Sequence, residues 1–260
     1  MSAPAIDMEQ AETVTQVSSD RPSLARLVVQ PLACIVAVVA ALVYVRVASV
    51  SETEQRSLGT SQLLTLLRQH LVISVIATAL VCVISVPLGV LLTRGRMRRF
   101  SKPVITVAGF GQAAPAIGLI ALGAAIFGIG RTGAIIALTV YGVLPIIANT
   151  VAGLDGVDPK LVEAGRGMGM SSMAVLLRIE LPLALGVIIA GLRTALVLIV
   201  GTAALATFTG AGGLGSLITT GITLQQDVTL VVGAILVAAL ALFIDWLARL
   251  VEIFAAAKGS

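Results

Sequence analysis

Glu163-Ala164-Gly165-Arg166-Gly167-Met168-Gly169, followed ten residues on by Ile179-Glu180-Leu181-Pro182, is a charged, glycine-rich segment wedged between two long apolar runs. A connection that only had to join two membrane spans would need no helix signals. The 30 residues from Ala152 to Leu181 carry several. Asp158-Pro159 reads as an N-cap followed by proline in the first turn. Leu161, Val162 and Ala164 supply a small apolar face, and Glu163 is expected in the first turn, where a negative charge favours the helix dipole. Gly165, Gly167 and Gly169 are poor helix formers, expected to let the chain turn sharply afterwards. The pattern predicts a helix near 158–170 that is presented to something outside the membrane.

Composition sets the frame for that segment. With 58% hydrophobic residues, 12% charged and a mean hydropathy of +1.07, the chain reads as an all-α integral membrane protein. Six apolar segments, near 28–49, 71–93, 103–127, 132–153, 183–208 and 228–250, are long enough to cross a hydrocarbon core of roughly 30 Å. Arg46, Arg56, Arg68 and Arg131 fall on one side of these spans, and the remaining loop and tail lysines and arginines on the other. The positive-inside rule then places both termini and the glycine-rich segment in the cytoplasm. That sidedness accounts for the net charge of +4 without a nucleic-acid partner. Residues 1–27 are expected to be a disordered cytoplasmic tail. Residues 28–49 read as an uncleaved N-terminal span, because the leader is too long and too acidic for a signal peptide. Residues 50–70 are expected as an extracytoplasmic loop with a short helix near Ser61–Gln69, 71–250 as the main transmembrane domain, and 251–260 as a cytoplasmic tail.

Several smaller constellations carry alternatives. Gly210-Ala211-Gly212-Gly213-Leu214-Gly215 has no following Lys-Ser/Thr and no preceding strand, so it is not read as a phosphate loop. At the outer end of a span it predicts a tight turn or a re-entrant stretch lining a cavity, with Gly210, Gly212, Gly213 and Gly215 suited to an outer gate. Arg193 lies near mid-membrane and must face protein or water. It is either a pathway or inter-subunit residue, or half of an ion pair for which Asp245 is one partner. Asn149-Thr150 either ties helices by hydrogen bonds or contacts the pathway. Pro87, Pro115 and Pro145 are expected to kink or break their spans. His70 reads as an interfacial polar residue. The Arg94-Gly95-Arg96-Met97-Arg98-Arg99 run reads as a topology determinant with access to anionic lipid headgroups. Cys34 and Cys82 sit in apolar runs and suggest neither a disulfide nor a metal site. No paired carboxylates and no nucleophile–base set share one side of the membrane, so the chain reads as a non-enzyme with no metal or cofactor of its own.

Glu163, Ala164, Gly169, Ile179, Leu181 and Pro182 hold the fixed positions of the pattern Glu-Ala-Ala, three residues, Gly, nine residues, Ile-x-Leu-Pro. This resembles the signature loop of permease subunits in bacterial ABC importers. Gly165 departs from it, standing where the pattern has its second alanine. Leu144-Pro145-Ile146 with Asn149-Thr150, Gly153 to Pro159, Ala190-Gly191-Leu192-Arg193-Thr194-Ala195 and Thr209 to Gly215 narrow the resemblance to permeases of osmoprotectant importers. It covers roughly residues 60–250. The resemblance implies a five-helix type I importer core, with the N-terminal helix as an addition. It further implies coupling to ATPases through Glu163, Ala164, Gly165, Gly169, Ile179, Leu181 and Pro182. The implied partners are two ABC ATPase subunits, a second permease copy or homologue, and an extracytoplasmic substrate-binding protein. ATP is used by those ATPases, and this chain has no GxxxxGK[ST]. The implied substrates are quaternary amines such as glycine betaine, choline and carnitine. Two alternatives stand beside this: a methionine-type importer of the same architecture, which matches the Leu-Pro-Ile and Leu-Arg-Thr-Ala stretches less well, and an ion-coupled transporter or channel. The latter should show intramembrane carboxylates or an inverted repeat. Asp245 is the one acidic residue well inside a span, and no repeat stands out.

Overall fold

The structure, a computed structural model, describes residues 24–48 and 50–259. The tail read over residues 1–27 lies, up to residue 23, outside the described residues. All regular structure among the described residues is helical. Five helical stretches are long and apolar enough to cross a bilayer: Leu27–Val47, Thr60–Leu92, Arg131–Asp155, Ser172–Thr209 and Asp227–Phe254. A sixth crossing would come from a bent pair, as described below.

Helix α1 (Leu24–Val47) lies on the outside of the bundle, with 11% of its apolar window buried. Among the polar contacts that join it to the rest, one originates in a proline. Pro31 has no N–H, so the carbonyl of Leu27, four residues earlier, lacks its helical donor. The Trp246 indole N–H donates to that carbonyl at 2.8 Å, which satisfies the group from another helix. Helix α2 (Glu52–Ser57) follows, started by a reciprocal capping box between Ser51 and Glu54. Helix α3 (Thr60–Leu92) then runs for 33 residues. The short helix expected near Ser61–Gln69 is its first part, because no Gly or Pro interrupts the chain between Thr60 and Val86.

After a 3₁₀ turn (Gly95–Phe100), the third apolar segment is broken. Helices α4 (Ser101–Ala113) and α5 (Ala116–Phe127) meet at 96°. Pro115 causes the bend: it forces the preceding Ala114 out of helical geometry, to ψ 144°. Each half, at 1.5 Å per residue, is about 20 Å long or less, too short to cross alone. Helix α6 (Arg131–Asp155) is the centre of the bundle, with 56% of its apolar window buried. Small residues bring its neighbours close. A Cβ on Gly123 would lie 2.5 Å from the Gly133 carbonyl, and a Cβ on Gly89 would lie 2.6 Å from Thr150 Cβ. Close backbone approach of this kind is how apolar helices gain packing energy where lipid offers no hydrophobic drive.

The chain then leaves the apolar bundle for α7 (Pro159–Gly167), the one-turn α8 (Ser172–Val175) and a π-helical turn (Leu176–Glu180). It re-enters through α9 (Leu181–Thr202), a 3₁₀ turn (Ala203–Thr209), α10 (Gly215–Leu224) and α11 (Asp227–Gly259). Helix α11 continues through the residues read as a C-terminal tail.

Candidate functional site

The segment between α6 and α9 is built from local signals that the sequence displays. Asp158 Oδ1 accepts from the Lys160 N–H at 2.9 Å, and Pro159 occupies the first turn of α7. Glu163 falls in the second turn rather than the first, because the helix begins at Pro159; its side chain is exposed. The helix ends in a Schellman motif. Gly169, at φ +83°, donates to Arg166 O at 2.9 Å, and Met170 donates to Gly165 O at 3.1 Å. Of the three glycines expected to make the turn, only Gly169 makes it. Gly167 is an exposed helical residue with open space where a Cβ would stand.

Gly165 has another role. It is buried, and a Cβ there would lie 2.6 Å from Ile179 Cδ1. Two motif positions 14 residues apart are thereby in contact, and α7 rests on the π-helical turn. The next residue, Glu180, is 5% exposed and has a different partner. Both its oxygens accept from the guanidinium of Arg94, Nη1 to Oε1 at 3.0 Å and Nη2 to Oε2. Arg98 of the same basic run reaches Asp155 Oδ1 at 3.2 Å, at an exposed site where such a pair contributes little. Outward from this frame stand Leu161, Met168, Met173 and Leu177, all exposed.

Arg193, in the middle of α9, is paired. Its Nε donates to Asp245 Oδ1 at 2.7 Å and its Nη1 to Glu252 Oε2 at 3.1 Å. Asp245 Oδ2 in turn accepts from Gln30 Nε2 at 2.9 Å. One chain of charge-assisted bonds thus links α9, α11 and α1. The triad faces a cavity of about 420 Å³ lined also by Ala190, Thr194, Val197 and Leu198. Asn149 and Thr150 form no tie between helices. Asn149 Nδ2 donates to Pro145 O within its own helix at 2.8 Å, and Thr150 Oγ1 is buried without a partner. What joins the helices here is close approach: a Cβ on Gly191 would lie 2.5 Å from Asn149 Cβ.

The glycine-rich stretch at the far end of α9 is a tight turn packed on α3. Gly210, Gly212 and Gly213 have φ of +73°, +83° and +97°. A Cβ on Gly215 would lie 1.9 Å from the Ala204 carbonyl oxygen, and one on Gly212 would lie 2.3 Å from Gln69 Oε1. Gln69 Oε1 accepts from the Gly213 N–H at 3.0 Å, Arg131 Nε donates to Ala211 O at 3.4 Å, and Gly130 N–H donates to Thr209 O at 2.8 Å. His70 is fully buried rather than interfacial; its Nε2 lies 2.9 Å from Val200 O and must carry the proton, since a carbonyl only accepts. Sequence reasoning missed Arg94, Glu180, Gln69 and the burial of His70. Its one available signal was Glu180 itself, an acidic residue at the mouth of an apolar span with an arginine run on the same side.

The family model described as "Binding-protein-dependent transport system inner membrane component" matches residues 85–253. The chain is 40% identical over 191 residues to the glycine betaine/carnitine/choline transport system permease protein OpuCB of Bacillus subtilis (strain 168), covering 74% of this chain and 87% of that one. It is 39% identical over 196 residues to the osmoprotectant import permease protein OsmW of Salmonella typhimurium, covering 74% and 90%. Among solved structures, an inward-facing MetNI methionine ABC transporter chain aligns with a TM-score of 0.67 at 24% identity, covering 79% of this chain and 99% of that one. That last likeness concerns the fold alone.

Proposed function

Since the chain belongs to the binding-protein-dependent transport system inner membrane component family, we propose that this permease subunit passes quaternary-amine osmoprotectants, of the glycine betaine, choline and carnitine type, into the cytoplasm. The observation that carries the substrate class is the identity of about 40%, over nearly three quarters of the chain, to permeases whose names give those substrates. Supporting the coupling role of Glu163, Ala164, Gly165, Gly169, Ile179, Leu181 and Pro182 is the exposed platform around them, with Leu161, Met168, Met173 and Leu177 bared for a partner. Two ABC ATPase subunits dock there, two permease copies or a homologous pair enclose the pathway, and a binding protein delivers substrate at the opposite face. Both termini and the platform lie in the cytoplasm, where arginine and lysine concentrate.

In this mechanism the ATPases close on ATP and displace α7. The spans on either side of the platform rock, and the turn through Gly210, Gly212, Gly213 and Gly215 opens or closes the outer end. Asn149 and Arg193 contribute to the pathway wall, Arg193 through the cavity it shares with Asp245 and Glu252. ATP is hydrolysed by the partners, since this chain has no GxxxxGK[ST]. Helix α1 stands as an addition to a five-helix core.

The test is ATP-dependent uptake of radiolabelled glycine betaine, choline, carnitine and methionine in proteoliposomes holding the permease with its cognate ATPase and binding protein. Uptake of a quaternary amine that is lost in Glu163→Ala is the expected result. Methionine uptake alone overturns the substrate class, and flux without any ATPase overturns the coupling.

A further inference from the structure

Ile179 and Glu180 are neighbours in the chain but have different partners. Ile179 lies under Gly165 of α7, and Glu180 is held by the two-pronged guanidinium of Arg94. Arg94 stands two residues beyond the end of α3, in extended conformation, before the 3₁₀ turn. Glu180 closes a π-helical turn, a local distortion found mostly where a helix serves a function. The pair therefore joins α7, through a single dipeptide, to the end of α3.

Helix α3 is continuous from that end to Gln69 and beyond. From Gln69 to Leu92 it spans about 35 Å at 1.5 Å per residue. Toward its other end, Gln69 accepts from Gly213 of the glycine-rich turn, and His70 donates to Val200 of α9. The helix is thus tied to the platform through Arg94, two residues past its end, and to the outer turn through Gln69, in its third turn. The Arg94 link is also of a kind that holds register. A planar fork on a buried carboxylate fixes both distance and orientation, which a point charge does not. Glu180, at 5% exposed, cannot exchange Arg94 for water without being left charged and unsolvated.

Resting on the permease reading above, we propose that Arg94 and Glu180 are positioning residues for transport. Their ion pair makes α3 follow α7, so that ATP-driven displacement of the platform reaches the outer turn through α3 as well as through α9. Without the pair, α7 still engages the ATPases, but its movement is delivered to the turn only in part. Hydrolysis then proceeds without matching import.

The measurement is ATP hydrolysed per glycine betaine, choline or carnitine imported, in proteoliposomes of the assembled complex matched for permease content. Glu180→Gln and Arg94→Ala are expected to raise that ratio roughly fivefold or more while ATP hydrolysis persists. The exchanged pair Arg94→Glu with Glu180→Arg is expected to bring it back most of the way. A merely structural pair would lower the amount of complex and leave the ratio unchanged, and an unchanged ratio in both single variants overturns the proposal. If Arg94→Ala does not assemble, Arg94→Lys keeps the charge but not the fork: a raised ratio supports the proposal and a native ratio overturns it. Failure of the underlying reading shows separately, as absence of amine uptake by the unaltered complex.

Discussion

Two glycine-bearing regions at opposite ends of α9 are held in different ways. The turn from Thr209 to Gly215 is folded into the protein. Three of its glycines have left-handed backbones, and Gly212 and Gly215 have no room for a methyl group. Its polar atoms are met by Gln69, Arg131 and Gly130. The segment from Asp158 to Pro182 is folded onto itself and stands out. One glycine makes its turn, one accommodates Ile179, and Gly167 is bound by neither constraint. Side-chain charge, through Glu180 and Arg94, fastens it to the bundle, and its apolar side chains are left bare. Glycine at the outer turn serves the protein's own packing. At the platform it serves one turn and one contact, and the surface around them stays exposed.

The contrast breaks first at Gly215. Gly215→Ala places a methyl against the Ala204 carbonyl, which cannot move aside as a side chain can, and should lose about 3 kcal/mol or more of stability. Thermal unfolding and folded yield in detergent would report it. Near-native stability would mean the turn is looser than its geometry. Next is Gly169→Trp, whose strain at φ +83° should remove about 1–2 kcal/mol yet leave the protein in the membrane, because nothing within 4 Å opposes a side chain there. Uptake should nonetheless fall to background. Full transport in that variant would remove the platform's claim to be a docking surface.

Gln69→Ala tests how firmly α3 holds the outer turn. It leaves the Gly213 N–H without its acceptor and should lower stability by about 1–2 kcal/mol, with faster hydrogen exchange confined to residues near 210–215. Exchange unchanged there would detach α3 from the turn. Smallest of all is Gly165→Ala, which restores the alanine of the signature pattern. Its methyl is crowded by the far end of Ile179, which can rotate away, and makes ordinary contact with Val175 Cγ2 at 3.4 Å and Met170 Sδ at 3.5 Å; the gain in helix propensity offsets the adjustment, so the net change should stay within about 0.5 kcal/mol. Unfolding midpoints of this variant and the native protein should coincide. A large loss would show that α7 and the π-helical turn are as tightly interlocked as the outer turn.

Much of this was legible in the chain itself. Apolar runs of span length, the Asp158-Pro159 helix start, and the spaced Glu163, Gly169, Ile179, Leu181 and Pro182 are local features. Hydropathy, capping chemistry and motif spacing act over a few turns at most, so a linear reading reaches them. A proline effect was legible for the same reason, since proline constrains the residue beside it, but not which proline would break its span: Pro115 does, while Pro87 and Pro145 stand inside continuous helices.

The tertiary structure alone decided which residues far apart in the chain answer one another. Arg193 could pair or line a pathway, and only the packing of α9 against α11 brought Asp245 to 2.7 Å and Glu252 to 3.1 Å. Trp246 has no sequence reason to meet Leu27, 219 residues away, until Pro31 frees that carbonyl and α1 lies along α11. Arg94 looked like one more positive charge of a topology signal, and became the partner of a buried glutamate when α3 and α9 ended side by side. Charge and hydropathy belong to each residue and can be read in order. Partnership depends on where a helix axis falls, and in a membrane bundle that is set by which small residues let which helices touch.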